Sequence, residues 1–302
     1  MPSACVLSDY GSPDVLEWEE VPMPEPSETQ IRIKVRSSGV GPTDLKIRRG
    51  ELTAFMSLPQ PAVLGYETAG TVDRVGSGVE GIGVGDEVAA WLPSLGGYGE
   101  YALAENWAPK PPNVSWHAAA ALPASVEAAV GVLRQLGVAR GETLLILGAA
   151  GSVGTIATQL AIRQGLNVIG AVAPRDDALI RELGATPVRY GEDLLTNVRK
   201  VADRVDATFD AAGKGGLEDA IKLVGGSERV ITLADEHAAE LGVRFSVPTP
   251  DRAPDGVAIG MQLLASGELR LRSQRSLPMS SAAEAHSLLE EGNVHDKLLL
   301  VA

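Results

Sequence analysis

Cysteine is almost absent: Cys5 is the only one in 302 residues. A single thiol excludes an intramolecular disulfide, a cysteine-rich zinc lobe and an iron–sulfur cluster, and it fits a reducing compartment. Nowhere do 18 uninterrupted apolar residues occur, so no membrane-spanning helix is expected. The first residues, MPSACVLSDYGSP, lack both a basic start and an apolar core and do not read as a signal peptide. A cytoplasmic location is the expectation. Positive charge is also short, with 26 Lys and Arg against 39 Asp and Glu and a net charge of −13. An acidic surface repels phosphate backbones and anionic lipid, which argues against nucleic acid and membrane partners. Four Trp, five Tyr and three Phe leave few platforms for stacking bases. The four histidines, His117, His237, His286 and His295, show no metal-ligand spacing and read as surface or helix-end residues.

What is present suits a packed protein. Hydrophobic residues make up 45% and charged residues 22%, which excludes a disordered chain, and the length suggests two domains. The first third reads as β structure. Ile31, Ile33 and Val35 alternate with Arg32 and Lys34, the period of a half-buried strand. Ten glycines between positions 65 and 99 punctuate short apolar runs such as 71–75 and 87–91, suggesting a small, strongly curved sheet or barrel. Pro22, Pro24 and Pro26 mark an extended connection.

The character changes near Trp116. Residues 117–136 are rich in Ala and Leu and read as helix, entered past Pro123 or broken there. Apolar runs at 143–147, 167–173, 186–190, 207–211, 229–233 and 243–247 then alternate with helical stretches at 152–164, 177–183, 194–201 and 217–223. Strands separated by helix-length segments predict βαβ units in a doubly wound parallel sheet. The tail predicts a helix at 256–266, a strand at 269–272, a helix at 281–291 and a final strand at 297–301.

The strongest local signal runs from Leu144 to Gly154: a buried strand, a turn of small residues, then a helix. Against the G-x-G-x-x-G fingerprint, Ala149 takes the first glycine position, Gly151 the second and Gly154 the third. Gly151 lets the backbone approach a pyrophosphate, Gly154 lets the helix pack on the sheet, and Ser152 and Val153 open the helix whose free N–H groups meet the anion. An NAD site expects an acid at the end of the second strand to bind the ribose 2′-OH. That strand instead ends Val172-Ala173-Pro174-Arg175, and Arg175 is suited to a 2′-phosphate. Asp176 and Asp177 read as acids of the next helix's first turn. NADP(H) is therefore preferred over NAD(H).

At this point the residues resemble a family across the whole chain. Tyr10 to Leu16, Gly41 to Arg48, Pro61 to Gly70, Val84 to Val88, Gly97 to Tyr101, Ala120 to Pro123, the Gly148 to Gly154 turn, Leu183-Gly184-Ala185 and Ala282 to His286 are similar to the zinc-independent, quinone oxidoreductase-like branch of the medium-chain dehydrogenase/reductase superfamily. The resemblance implies an α/β architecture: a GroES-like β-barrel catalytic domain at 1–118 with 250–302, and a doubly wound Rossmann domain at 119–249. It implies a homodimer paired along the Rossmann sheet edge, and an active site between the domains. It also implies that Thr43, Ala173, Tyr190, Ala211 and Leu233 join the glycine turn and Arg175 as NADPH contacts.

Zinc enzymes of this superfamily hold the metal with a Cys, a His and a further Cys, Asp or Glu. Here Gly41 stands at the first position and Tyr66 replaces the histidine, so no catalytic zinc is expected. Without that Lewis acid, simple alcohol oxidation loses its alkoxide stabiliser. A quinone or an α,β-unsaturated carbonyl remains a feasible hydride acceptor, its new charge held by hydrogen-bond donors. By resemblance the cleft donors are Tyr66, Lys46 and Tyr98. Tyr66 is either the donor or an aromatic filling the zinc cavity, and Asp44 and Lys46 are either a polar pair or a loop support. The family usually has Asn at Gly41, often Thr at Ala128, a hydrophobic residue at Glu127 and Gly at Asp296. The leading expectation is an NADPH-dependent reductase of quinones or activated double bonds. The alternatives are a low-turnover NADPH-binding protein (a redox sensor or structural use of the fold) and a pathway-specific tailoring reductase.

Overall fold

A computed structural model describes residues 1–53, 58–249 and 251–302. The chain divides into two units, one of Met1–Ala124 with Pro254–Ala302 and one of Ser125–Ala253.

In the first unit the long strand Ile31–Gly39 organises the sheet. It pairs antiparallel with Glu67–Val75, with Lys297–Val301 and with Tyr101–Ala104, and bulges at Arg32/Ile33 and Val35/Ser37 bend it. Such bulges raise local twist, and the glycine-punctuated strands follow the curvature. The full order is Gln274–Pro278, Lys297–Val301, Ile31–Gly39, Glu67–Val75, Glu87–Trp91 and Asn106–Pro109, with a separate three-stranded sheet of Leu16–Glu20, Ser3–Leu7 and Ala62–Val63. Ile31, Ile33 and Val35, the alternating face, are all buried in its core with Leu7, Leu64, Leu298 and Leu300.

The second unit is a six-stranded parallel sheet in the order Thr186–Arg189, Asn167–Val172, Thr143–Leu147, Ala207–Asp210, Val230–Thr232 and Arg244–Phe245. Numbered along the chain this is 3-2-1-4-5-6, the dinucleotide-binding order, and its switch point lies between Thr143–Leu147 and Ala207–Asp210. Helices Ser152–Arg163, Asp177–Glu182, Leu194–Arg199 and Leu217–Val224 connect the strands. No helix among the described residues is long and apolar enough to cross a membrane.

The helix at 117–136 is broken at Pro123, one of the two readings, into Trp116–Ala120 and Pro123–Leu136, because proline suits a first turn but not a helix interior. One element differs from expectation. The strand expected at 269–272 is instead Gln274–Pro278. Backbone pairing with Lys297–Val301, rather than local hydrophobicity, selects those residues, and Leu269 is buried beyond the end of helix Gly256–Ala265.

Candidate active site

The turn from Gly148 to Gly154 joins the central strand to helix Ser152–Arg163. A Cβ on Gly154 would stand 2.2 Å from the Gly148 carbonyl oxygen and 2.7 Å from Ala149 Cα, so the helix can pack this closely on the turn only if that side chain is missing. Gly151 is the helix N-cap, and no side chain caps the first N–H groups. A Cβ there would come within 4 Å of one atom, the Gly148 oxygen at 3.2 Å. That is a cradle for an approaching anion. Ala150 to Val153 are partly open and Ala149 is buried.

All the second-unit cofactor candidates lie at the carboxyl ends of parallel strands. Ala173 follows Asn167–Val172, Tyr190 follows Thr186–Arg189, Ala211 follows Ala207–Asp210 and Leu233 follows Val230–Thr232. Asp210, which sequence reasoning missed, arranges two of these ends. Its carboxylate accepts from the Ala212 and Gly213 amides at 3.0 Å each and from Thr232 Oγ1 at 2.7 Å. Burial raises its pKa, against the pull of those hydrogen bonds. The cue was a carboxylate closing an apolar strand.

Arg175 sits in the turn Pro174–Asp176 with its side chain 61% exposed, 3.8 Å from Asp176. Asp177, the acid that would repel a neighbouring phosphate, is bound two-pronged by Arg189, with Nη2 to Oδ2 at 2.7 Å. That hydrogen bond holds its carboxyl below the usual range. Arg189, not singled out from the sequence, thus engages Asp177, while Asp176 stays beside Arg175.

In the first unit, register assembles a second group. Leu299 pairs Gly39, and Thr68 pairs Ser38. One end of three adjacent strands therefore carries Gly41, Tyr66 with Glu67, and Lys297. Lys297 Nζ lies 2.5 Å from Glu67 Oε1, both residues buried, and Glu67 Oε2 accepts from the Ala124 amide at 2.9 Å. Asp44 turns back on its own helix, Pro42–Arg48, and accepts from the Gly41 amide at 2.9 Å. Lys297 is a cation acting on that carboxyl. Thr43 and Lys46 are half-buried on that helix. Tyr66 is half-buried, its ring edge-on to Trp91 at 5.9 Å.

Two expectations are corrected. Tyr98 is wholly buried, its hydroxyl 3.2 Å from His286 Nε2, so no ligand can touch it as a donor. Its amide donates to the Leu64 carbonyl at 2.9 Å and its carbonyl accepts from the Cys5 amide at 2.8 Å, which holds the backbone in the core. His286 is a core residue, not a surface one, and burial depresses its pKa to about 3. Between pH 6.5 and 3 the unfolded chain binds a proton that folded His286 refuses, so stability falls as pH drops through that window. Calorimetry across the window should therefore show a steeper fall in Tm for the native chain than for His286→Gln.

Glu127, where a hydrophobic residue was expected, forms a buried two-pronged ion pair with Arg252, with Nε to Oε1 at 2.8 Å. Ala128 is buried beside it. Among the described residues, no three His, Cys, Asp or Glu side chains converge to hold a metal ion.

The comparisons agree with this architecture. Residues 27–112 match the alcohol dehydrogenase GroES-like domain. The chain is 34% identical to the 2-methylene-furan-3-one reductase of Solanum lycopersicum, over 97% of this chain and 77% of that protein. It is 32% identical to the chloroplastic NADPH-dependent alkenal/one oxidoreductase of Arabidopsis thaliana, over 98% of this chain and 78% of that protein. The quinone oxidoreductase structure from Coxiella burnetii superposes with a TM-score of 0.86 at 28% identity, covering 100% of this chain and 99% of that one. With the six-strand order, the glycine turn and relatives aligned along nearly its whole length, the chain belongs to the quinone oxidoreductase-like branch of the medium-chain dehydrogenase/reductase superfamily.

Proposed function

We propose that this protein is an NADPH-dependent, zinc-independent reductase of quinones or of double bonds activated by a carbonyl. The observation that carries the reading is the uncapped Gly148–Gly154 cradle followed, at the next strand's end, by an exposed Arg175 and no acid at Ala173 or Pro174. The relatives named for alkenal/one and furanone reduction support the same chemistry.

When bound, NADPH supplies a hydride from C4 of its nicotinamide. The chain's residues do the rest. Gly151, Gly154 and the helix opening at Ser152 and Val153 hold the pyrophosphate, while Ala149 backs the turn. Arg175 would pair with the 2′-phosphate, Tyr190, Ala173, Ala211 and Leu233 at the neighbouring strand ends would contact the rest of the cofactor, and Thr43 would add a polar contact. Tyr66 donates a hydrogen bond to the acceptor oxygen as charge develops there, and Lys46 lends a second polar group. Gly41 and Tyr66 offer no zinc ligand. The exposed Phe245 of the sheet's edge strand and Val247 just beyond it support pairing with a second copy, since an open apolar edge invites cover. The acidic surface and lone buried cysteine fit a cytoplasmic enzyme.

Consumption of NADPH with a panel of quinones and enones tests the reading. NADPH binding without consumption of any acceptor would favour a binding protein instead. Cofactor choice has its own test: Arg175→Ala should weaken NADPH about 10- to 100-fold, the loss of a charge-assisted contact. NADH binding should barely change. Equal affinity of the unaltered protein for the two cofactors would overturn the NADPH assignment.

A further inference from the structure

We propose that His237 is the acid that protonates the reduced acceptor, held for that task by the buried carboxylate of Asp235. The inference rests on the reductase reading, since hydride addition to the acceptor leaves an anion that needs one proton.

The position follows from the sheet. In an open parallel sheet the ligand lies outside the carboxyl ends of the strands, with one nucleotide half on each side of the switch point. Arg175 follows strand Asn167–Val172, on the Thr143–Leu147 side of that point. With the 2′-phosphate there, the nicotinamide half falls to the ends of Ala207–Asp210 and Val230–Thr232. His237 belongs to the turn Glu236–Ala238, just beyond the second of those ends.

The ring is fixed from beneath. Asp235 is buried, and its Oδ1 accepts from the His237 amide at 3.0 Å and meets the ring Nδ1 at 3.2 Å. The Asp235 amide donates to Thr232 Oγ1 at 3.0 Å, and Thr232 Oγ1 donates to Asp210 Oδ2 at 2.7 Å. A Cβ on Gly213 would stand 2.6 Å from the Ala234 carbonyl carbon, so the loop after Ala207–Asp210 abuts this turn. The dyad is thereby tied to both strand ends of the second half.

Asp235 also caps the turn, but capping uses the backbone amide alone. The bond to the ring does something further. An ionised carboxylate only accepts, so Nδ1 carries the hydrogen of that bond. Nε2, across the ring, is left as the atom that gains and loses a proton, and the carboxylate stabilises the charged ring. The side chain of His237 is 73% exposed. Water therefore reprotonates it directly, and an acceptor can reach it without any opening of the core.

The proton balance closes. Hydride brings two electrons to the acceptor and the displaced π pair collects on its oxygen. The His237 Nε2–H bond breaks, an O–H bond forms on the acceptor, and His237 is left neutral. It then takes a proton from water, so each turnover consumes one solvent proton. Besides Asp235, the charged groups on the elements packed around this turn are Glu236, Glu240, Glu218, Asp219, Lys222 and Arg244.

The test follows kcat with the best acceptor from about pH 5 to about pH 9. Native kcat should fall as pH rises through the range in which an imidazole loses its proton, about 5 to 8. His237→Gln should lose about 10²-fold at the acid end and remove that fall. Its Tm and NADPH affinity should stay native, because the side chain is exposed. Asp235→Asn, which still caps the turn, should move the fall to lower pH, since the ring loses its anionic neighbour. A purely structural dyad would leave the profile where it is. In proton NMR of the complex with NADP+, the His237 ring resonance, identified by its loss in His237→Gln, should shift when the reduced acceptor is added. Native kcat in His237→Gln would overturn the proposal, as would a resonance that ignores the reduced acceptor. A native protein that reduces no acceptor at all would overturn the reductase reading itself, and this role with it.

Discussion

Tyr66→Phe is expected to lower kcat about 10²- to 10³-fold, the usual cost of removing one donor to a developing oxyanion, and to leave NADPH affinity unchanged. Tyr66 stands at the strand end that also carries Gly41 and Lys297, at the position where zinc relatives place a metal ligand. On the proposed zinc-independent reading, charge on the acceptor oxygen is met by hydrogen bonds. The ring is also fixed: it packs edge-on against Trp91 at 5.9 Å, and its backbone oxygen accepts from Leu92 at 2.9 Å. Phe keeps that packing, so the loss reads the hydroxyl alone. Steady-state kinetics on the best acceptor, with a separate NADPH titration, checks it. Full turnover in Tyr66→Phe would assign the ring to packing.

The second large effect is on stability. Arg252→Leu should destabilise the Ser125–Ala253 unit by about 3–5 kcal/mol, because Glu127 would be left as an uncompensated buried charge. Both side chains are almost fully buried and their bonds are two-pronged. In a domain of this size that lowers Tm by roughly 6–20 °C. Replacing both partners with leucine should recover most of the loss, since the penalty lies in the unpaired charge and not in the absence of the pair. Thermal unfolding of the two single variants and the double variant tests this. Equal losses for Arg252→Leu and the double variant would mean that packing around the Arg252 stem, and not charge, carries the cost.

The sequence by itself determined the parallel sheet and its ligand edge. Strand–helix alternation from Thr143 onward is a local periodicity, and the Gly148–Gly154 turn is a local steric requirement, since the helix can approach the turn only if position 154 lacks a Cβ. Neither depends on distant parts of the chain, so both were legible. Absence of the usual zinc ligands at Gly41 and Tyr66 was legible for the same reason. The buried polar system was not. Tyr98 meets His286 across 188 residues, Glu127 meets Arg252 across 125, and Glu67 meets Lys297 only because three strands pair in one register. A charged residue reads from sequence as a solvated one, because that is its lowest-energy state when alone. Only folding reveals that a partner waits in the core and offsets the desolvation. Thus Glu127 looked like a departure and is half of an ion pair, while His286 looked like a helix-end residue and is wholly buried. Sequence periodicity and small-residue sterics settle where the parallel sheet and its glycine turn lie. Tertiary packing alone decides which ionisable groups are removed from water, and so which of them hold protons at neutral pH.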